Sequence, residues 1–574
     1  MKAKKYLYSI ILATGLLSFS SCVGDLDVIP LDSTVNTADR AYTDAEDYTN
    51  ALSKIYAIWA MSGQDGAGSS DINLGDAGNT TLIRSWWTCQ EQPTDEMKNA
   101  WGDAWCTEIN YMTWGTSKIE VIEAVYQRCM YIVALVNDFL KNTPNAPADI
   151  NRESYESQAR FCRALAYYTL MDMYGRPPFI TESNYSLQPS QLSREELFNW
   201  IESELKAIIP NLPDRWTGIA DRGRADQGSA YSLLARMYLN AEVYTGKARY
   251  TDCITACKEV ISKGYTLATQ YSALFSADNG ENTDASQEII FPILADGDVT
   301  QSYASSLIIG ARPSQASKAV EDIEDDSQKA TAKYEFFLYE CGAREGWAGY
   351  RATGQLIDLF DFADNNNPTS DNIKDKRGIF RSNTYQDVVL NKNIQNIPMN
   401  TFNSDGWWVY KFTNLDHEGN PPAGKVASQV LYTDTDFPLF RLGDIYLMYA
   451  EAVARGGEGG SISTAVDYVN QLRRRGYGDN SGDITENWLK ATTTIGSTSV
   501  PYGNILNERG RELYWEGTRR TDLIRFGLFT SSSYRWDWKG GQQNGIGVND
   551  RYNLYPIPLT DLTSNSNLSQ NEGY

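Results

Sequence analysis

Three stretches of this chain repeat one pattern, a helix-length run that sets alanines among large apolar residues along a single stripe. In the run from Ala159 to Gly175, Phe161, Ala164, Leu165 and Tyr168 fall at i, i+3, i+4 and i+7, and Gly175 with Pro177 and Pro178 ends it. The run from Gly228 aligns Tyr231, Leu234, Ala235, Tyr238 and Leu239, and a partner after Gly246 carries Tyr250, Cys253, Ile254, Cys257 and Ile261. The run from Phe440 aligns Leu442, Ile445, Tyr446, Tyr449, Ala450 and Val453, followed by a partner with Ile462, Ala465, Val469 and Leu472 inward. Alanine at the contacts lets helix axes approach, and Tyr and Leu fill the space between layers.

These units have the proportions of tetratricopeptide-like repeats, the alternative being a set of unrelated helical hairpins. Further helices are expected over Ala45–Met61 and Ser117–Phe139. Between Thr266 and Thr435 the periodicity lapses into a run rich in Gly, Asn, Asp and Ser, and so long an irregular segment inside a compact protein is more often functional than a linker.

The other outlying feature is Ser85–Trp114, which holds Trp86, Trp87, Trp101, Trp105 and Trp114, five of the chain's 15 tryptophans. Their spacing fits neither a strand face nor a helix face, and Pro93 and Gly102 interrupt any long helix. Indoles among Asp95, Glu96, Asn99 and Asp103 suit a recognition surface, where a ring stacks on a flat apolar ligand face and polar neighbours fix its orientation. Core anchoring under a long loop is the competing reading for each ring. Trp114, just before a helix, is expected in the core.

Charge and composition narrow the chemistry. A net charge of -22 argues against nucleic acid or anionic lipid, because phosphate contacts need clustered Lys and Arg. A single histidine, His417, would have to serve alone in any Ser-His-Asp triad, Cys-His pair or His-based metal site, which argues against the commonest hydrolytic and zinc chemistries. Asp278, Asn282 and Asp284 invite a calcium reading, but their spacing fails the EF-hand pattern, so no cofactor and no metal is expected. A glycoside hydrolase would need two carboxylates at a set separation, which 73 acidic residues neither reveal nor exclude.

At the N-terminus, Lys2, Lys4 and Lys5 precede an apolar run from Tyr6 to Phe19 and then Ser20, Ser21 and Cys22. This is the layout of a secretory signal peptide. Its Ser-Ser-Cys end resembles a bacterial lipoprotein box, which implies cleavage after residue 21, lipidation of Cys22 and a body held in water by acyl chains. Seven other cysteines include no CxxC pair and are expected to be free, buried and small.

Six motifs in order then carry a resemblance. They are the Ala159–Pro178 helix with its YGRPPF end, GSAYSLLARMYL from Gly228, FPLFRLGDIYLMYAEA over Phe437–Ala452, VNQLRRRGY over Val469–Tyr477, ILNERGRELYWEGTRRTDLIRFG over Ile505–Gly527, and the terminal LYPIP and NLSQNEGY. Together with the lipoprotein start, the chain resembles the RagB/SusD family along nearly its whole length. Gly517-Thr518-Arg519-Arg520 departs from the family's usual Gly-His-Arg and concerns local packing rather than ligand chemistry.

The resemblance implies a mainly α SusD-like fold, with tetratricopeptide-like helical repeats as scaffold and a long irregular insert of loops and short strands. On this reading residues 1–21 are a lipoprotein signal peptide and 22–574 one domain. The scaffold lies mainly in 40–62, 117–265 and 436–530, and the irregular ligand-facing parts in 63–116 and 266–435. It further implies a non-enzymatic lipoprotein at the cell surface, anchored in the outer membrane at Cys22. Such a protein binds an oligosaccharide or polysaccharide on an aromatic platform and works with a SusC-like TonB-dependent transporter. Trp101, Trp105 and Trp347 are the expected stacking rings, Asp71, Asp95 and Asn99 the expected hydroxyl partners, and Trp86 and Trp87 are divided between platform and core. A repeat-type adaptor for protein partners remains the other class.

Overall fold

The structure, a computed structural model, describes residues 41–360, 362, 373–381 and 406–574. Cys22 and the signal segment lie outside these residues. The helices relevant here are α1 (Ala45–Ala57), α2 (Leu82–Glu91), α3 (Ala104–Tyr111), α4 (Glu120–Asn142), α5 (Arg152–Tyr174), α6 (Arg194–Ile208), α7 (Gln227–Leu239) and α8 (Tyr250–Ser262). After the middle of the chain come α9 (Asp326–Cys341), α10 (Leu442–Ala454), α11 (Ile462–Tyr477), α12 (Gly503–Leu513) and α13 (Arg519–Arg525).

Each scaffold helix starts and stops on local chemistry. Asn151 caps α5 by accepting from the Ser154 amide at 3.2 Å, and Asp226 caps α7 by accepting from the Ser229 amide at 2.8 Å. Gly175 and Gly478 close α5 and α11 at φ of 72° and 78°, a backbone region that costs glycine nothing. The apolar stripes then pack in sequence: α4 on α5, α5 on α6, α7 on α8, α8 on α10 and α10 on α11. The repeated stripes thus bury one another in a helical stack. The seven described cysteines are buried within the fold and unpaired.

Short antiparallel pairs hold the middle of the chain to this stack. Strand β1 (Met97–Asn99) pairs with β3 (Tyr350–Ala352), and β2 (Ile289–Ile293) with β4 (Phe437–Arg441), which runs directly into α10. Arg441 at the end of β4 bonds Glu288 at 2.9 Å and both Glu512 and Glu516 at 2.6 Å. Arg377 and Arg475 both share Glu512 with it, Arg475 also pairing with Glu288 and Arg377 with the buried Glu508. The charged letters of the motif over Ile505–Gly527 are therefore internal ion pairs that fasten α12 to the insert.

Two expectations about the irregular parts are corrected. The 63–116 stretch contains α2 and α3, and 266–435 contains the 16-residue α9. Every residue of α2 is buried, polar Thr88, Gln90 and Glu91 included, so no polar face survives to betray a helix in the sequence. Among the described residues no helix is long and apolar enough to cross a membrane.

Candidate aromatic binding face

The pairing of β1 with β3 decides where the tryptophans go. Asn99 sits opposite Tyr350, and the ribbon continues as the Ala100 amide donates to the Gly349 carbonyl at 2.8 Å. Trp101 and Trp347 leave its adjoining ends as neighbours, with ring centroids 6.3 Å apart and planes inclined at 56°. The indole N–H of Trp101 donates to the Trp347 carbonyl at 2.9 Å, and that of Trp347 to Glu345 Oε1 at 2.8 Å. Both rings are half-buried, held by these bonds with part of each left exposed.

Close glycine contacts make the arrangement possible. A Cβ at position 349 would stand 2.3 Å from the Trp101 indole, and one at 310 would stand 2.6 Å from the Tyr350 ring. Ala348, directly after Trp347, takes φ of 54°, a left-handed conformation that costs a non-glycine residue of order 1 kcal/mol or more. It is held there because its amide donates to the Arg312 carbonyl at 2.8 Å while the Trp347 amide donates to Ile309 at 2.7 Å.

Arg84 on α2 was not singled out from the sequence. Its guanidinium lies 5.4 Å from the Trp101 ring and 5.8 Å from the Trp347 ring, so one cation braces both indoles. Its place directly before Ser85-Trp86-Trp87 was the only available signal. Tyr303, half-buried, lies in a turn that packs on the same helix and meets Tyr432 edge-on at 5.4 Å.

The other expected site residues divide. Trp105 is half-buried in the first turn of α3, separated from Trp101 by the exposed turn 102–104. Trp87 is fully buried, donating to the Trp515 carbonyl at 2.8 Å with its ring 5.0 Å from Tyr350. Trp86 is packed edge-on against Trp59 and Phe437, beneath Gly517, where a Cβ would stand 2.2 Å from the indole. Neither ring presents a face to a ligand, so both leave the platform set. Trp114 is core as expected, stacked on Tyr555 at 4.8 Å and bonded to the Tyr574 hydroxyl at 2.7 Å.

Asp95 is corrected as well. It lies buried against Arg519 with N–O distances of 2.8 and 2.7 Å. Burial opposes its charge most strongly, but the Arg519 guanidinium and the Tyr534 hydroxyl outweigh burial and hold the carboxyl below its ordinary pKa. Asn99 is fully buried, and its Oδ1 accepts from the Trp101 amide at 3.0 Å, so it positions the ring from inside the fold. Asp71 pairs with Lys54 of α1 at 2.5 Å, and its described contacts include neither Trp101 nor Trp347.

Asp278, Asn282 and Asp284 serve three separate turns: Asp278 accepts from the His417 amide, Asn282 from the Asp284 amide and Asp284 from the Thr269 amide. Among the described residues no group of three or more His, Cys, Asp or Glu side chains is placed to hold a metal ion.

What remains is a braced pair of inclined indoles with a carboxylate beside one of them. Such a surface offers stacking faces and a hydrogen-bond acceptor, with no nucleophile and base brought together. Residues 233–574 match the family model described as the SusD family. The chain belongs to the SusD family. Residues 79–239 also match a model described as "Starch-binding associating with outer membrane". The chain is 35% identical to the "Starch-binding protein SusD" of Bacteroides thetaiotaomicron, over 100% of both chains.

Solved structures share the SusD-like fold. A SusD-like protein from Bacteroides fragilis superposes with a TM-score of 0.64 at 20% identity, covering 95% of this chain and 100% of that one. Surface glycan-binding protein A from Bacteroides thetaiotaomicron, solved in complex with laminarihexaose, gives 0.62 at 18% identity over 92% of this chain and 100% of its own. The named SusD relatives are binding proteins rather than enzymes, and the family's descriptions associate it with starch and the outer membrane.

Proposed function

We propose that this SusD-family protein is a cell-surface lipoprotein that captures an α-glucan of the starch type on the Trp101–Trp347 face. It then passes the glucan to a SusC-like TonB-dependent transporter in the outer membrane. The observation that carries the reading is the braced indole pair itself, in a chain 35% identical throughout to a starch-binding protein. Pyranose rings have apolar faces and hydroxylated edges, so inclined indoles can follow the curve of a glucan while Glu345 accepts from a hydroxyl.

Base–aromatic stacking is worth about 1–3 kcal/mol per ring, and a similar value for each sugar contact gives roughly 2–6 kcal/mol for two rings. Since about 4 kcal/mol corresponds to a millimolar Kd, capture is weak and reversible, as transfer to a transporter requires. Trp105 would extend the face along the chain of sugars. Anchoring through acylated Cys22 would keep the acidic body in water beside the transporter.

Affinity electrophoresis through gels containing amylopectin tests this. Wild-type protein should be retarded, and the Trp101→Ala and Trp347→Ala variants should run freely. Equal migration with and without polysaccharide would overturn the assignment of starch, and equal retardation of the variants would overturn the assignment of the face.

A further inference from the structure

A second concave site lies elsewhere on the molecule. Residues of the segment 215–226, which leads into α7, and of the segment 279–292 line an open cavity of about 270 Å³. No side chain of the Trp101–Trp347 face lines it.

Two aromatic rings border this cavity, each with a guanidinium close by. Arg224 lies 4.9 Å from the half-buried Trp216 ring, and Arg215 lies 4.1 Å from Tyr265. Trp216 is fixed twice, its indole N–H donating to the Ala225 carbonyl at 3.1 Å and its amide to Asp226 at 3.2 Å. Arg222 reaches across to Glu281 at 2.9 Å and also pairs with Asp436. Glycine at 280 leaves the space for that guanidinium, since a Cβ there would lie 1.3 Å from its Nη1.

The charges of the lining decide the class of ligand. Three arginines face four carboxylates, and each arginine already has partners: Arg222 as above, Arg224 on Asp221 at 2.9 Å, and Arg215 on the Gly264 carbonyl at 2.7 Å and Gln287 at 3.0 Å. Asp226 is occupied by the Ser229 and Trp216 amides and the Tyr265 hydroxyl. Arg222 and Arg224 are held by carboxylates, Arg215 alone bonds only neutral groups, and the lining carries one more carboxylate than arginine, so an anion would meet a net negative wall. The Thr217, Thr283 and Ser286 hydroxyls at the mouth, by contrast, make no hydrogen bond among the described residues and are free to donate or accept. A fixed indole edged by free hydroxyls and neutralised charges suits a neutral polyol with one apolar face.

We propose that this cavity is a second saccharide site, taking one or two neutral sugar rings against Trp216. Its volume falls just below the range for small-ligand pockets, about 300–1,000 Å³, which leaves no space for a long chain. The site is independent of the Trp101–Trp347 face and of the identity of the polysaccharide captured there.

Saturation-transfer NMR on the full chain tests it, with glucose, galactose, mannose and xylose as neutral probes and glucuronate as the anionic one. The Trp101→Ala/Trp347→Ala double variant removes the first face, and at least one neutral sugar should still receive saturation. Its Kd should then rise roughly ten-fold in Trp216→Ala, as the loss of one stacking ring implies. The same sugar should be lost in Thr283→Trp, which fills the mouth from an exposed position and spares the fold. No neutral-sugar signal in the double variant, a signal that survives Thr283→Trp, or transfer to glucuronate alone would overturn the proposal.

Discussion

The indole N–H of Trp101 donates to the backbone carbonyl of Trp347 at 2.9 Å, across 246 positions of sequence. That bond, with the β1–β3 ribbon beneath it, turns two distant loops into one rigid surface. The two side chains are themselves coupled by their ring contact at 6.3 Å and by the Arg84 guanidinium they share, so their contributions to binding are not independent. Trp101→Ala and Trp347→Ala should each weaken glucan binding by about 1–3 kcal/mol, roughly 5- to 150-fold in Kd. The double variant should lose clearly less than the sum. Isothermal calorimetry with maltoheptaose on all four proteins measures the coupling, and strict additivity would show that the rings act separately.

Gly349 offers a way to move Trp101 without removing it. With a Cβ standing 2.3 Å from the indole, Gly349→Ala forces the ring off its seat above Tyr350. The expected outcome is weakened glucan binding with Trp101 still present. Gly115→Ala is the control, since a Cβ there meets nothing within 4 Å. Unchanged affinity in Gly349→Ala would mean that the seat of Trp101 does not matter.

Asp95 was expected to meet ligand and instead neutralises Arg519. Removing one partner of a buried pair strands the other, at about 3–5 kcal/mol. Asp95→Ala should therefore lower the thermal midpoint markedly while the protein that remains folded binds glucan as wild type does. A selective loss of affinity at unchanged stability would restore Asp95 to the site.

The repeated apolar stripes were legible because helices with one buried face must show a period near 3.6, and their partners followed in register. Trp101 stands out in the sequence as a ring among polar, turn-forming residues, whereas Trp347 is reached only through the family resemblance of its segment. Arg84, Trp86 and Trp87 were not legible, because α2 is buried all round and its sequence carries no period that separates core from surface. Asp95 and Asn99 were misread for a related reason. A polar side chain in a loop looks solvent-facing until a partner more than 400 residues away, Arg519 for Asp95, takes it inside. The family motif over Ile505–Gly527 is conspicuous for its charges, and those charges hold the core together rather than a ligand.

Lipidation of Cys22 has its own consequence. Two acyl signals suffice for stable anchoring, whereas no described helix can cross a membrane. Cys22→Ala should shift the protein from the membrane fraction to the soluble fraction and leave glucan binding intact. Retention of Cys22→Ala with the membrane would remove the acyl anchor from the account.

The last prediction concerns pH. Glu91 on α2 and Glu96 in the following loop are both fully buried. Burial raises the pKa of both, Glu96 to about 7, and the charge of Glu96 adds to the rise at Glu91. Because these folded values exceed the ordinary carboxyl value of about 4.3, the pair contributes stability that is fully present below that pH. The contribution is lost as pH rises from there through about 7, where Glu96 must take up its charge in the interior. Glu91→Gln removes one of the two titrating groups while keeping an acceptor for the Gly517 amide, which Glu91 Oε1 binds at 2.5 Å. The thermal midpoint of Glu91→Gln relative to wild type should therefore climb between pH 5 and pH 8, read by differential scanning calorimetry. A difference that stays constant across that range would show that the two carboxyls do not titrate there.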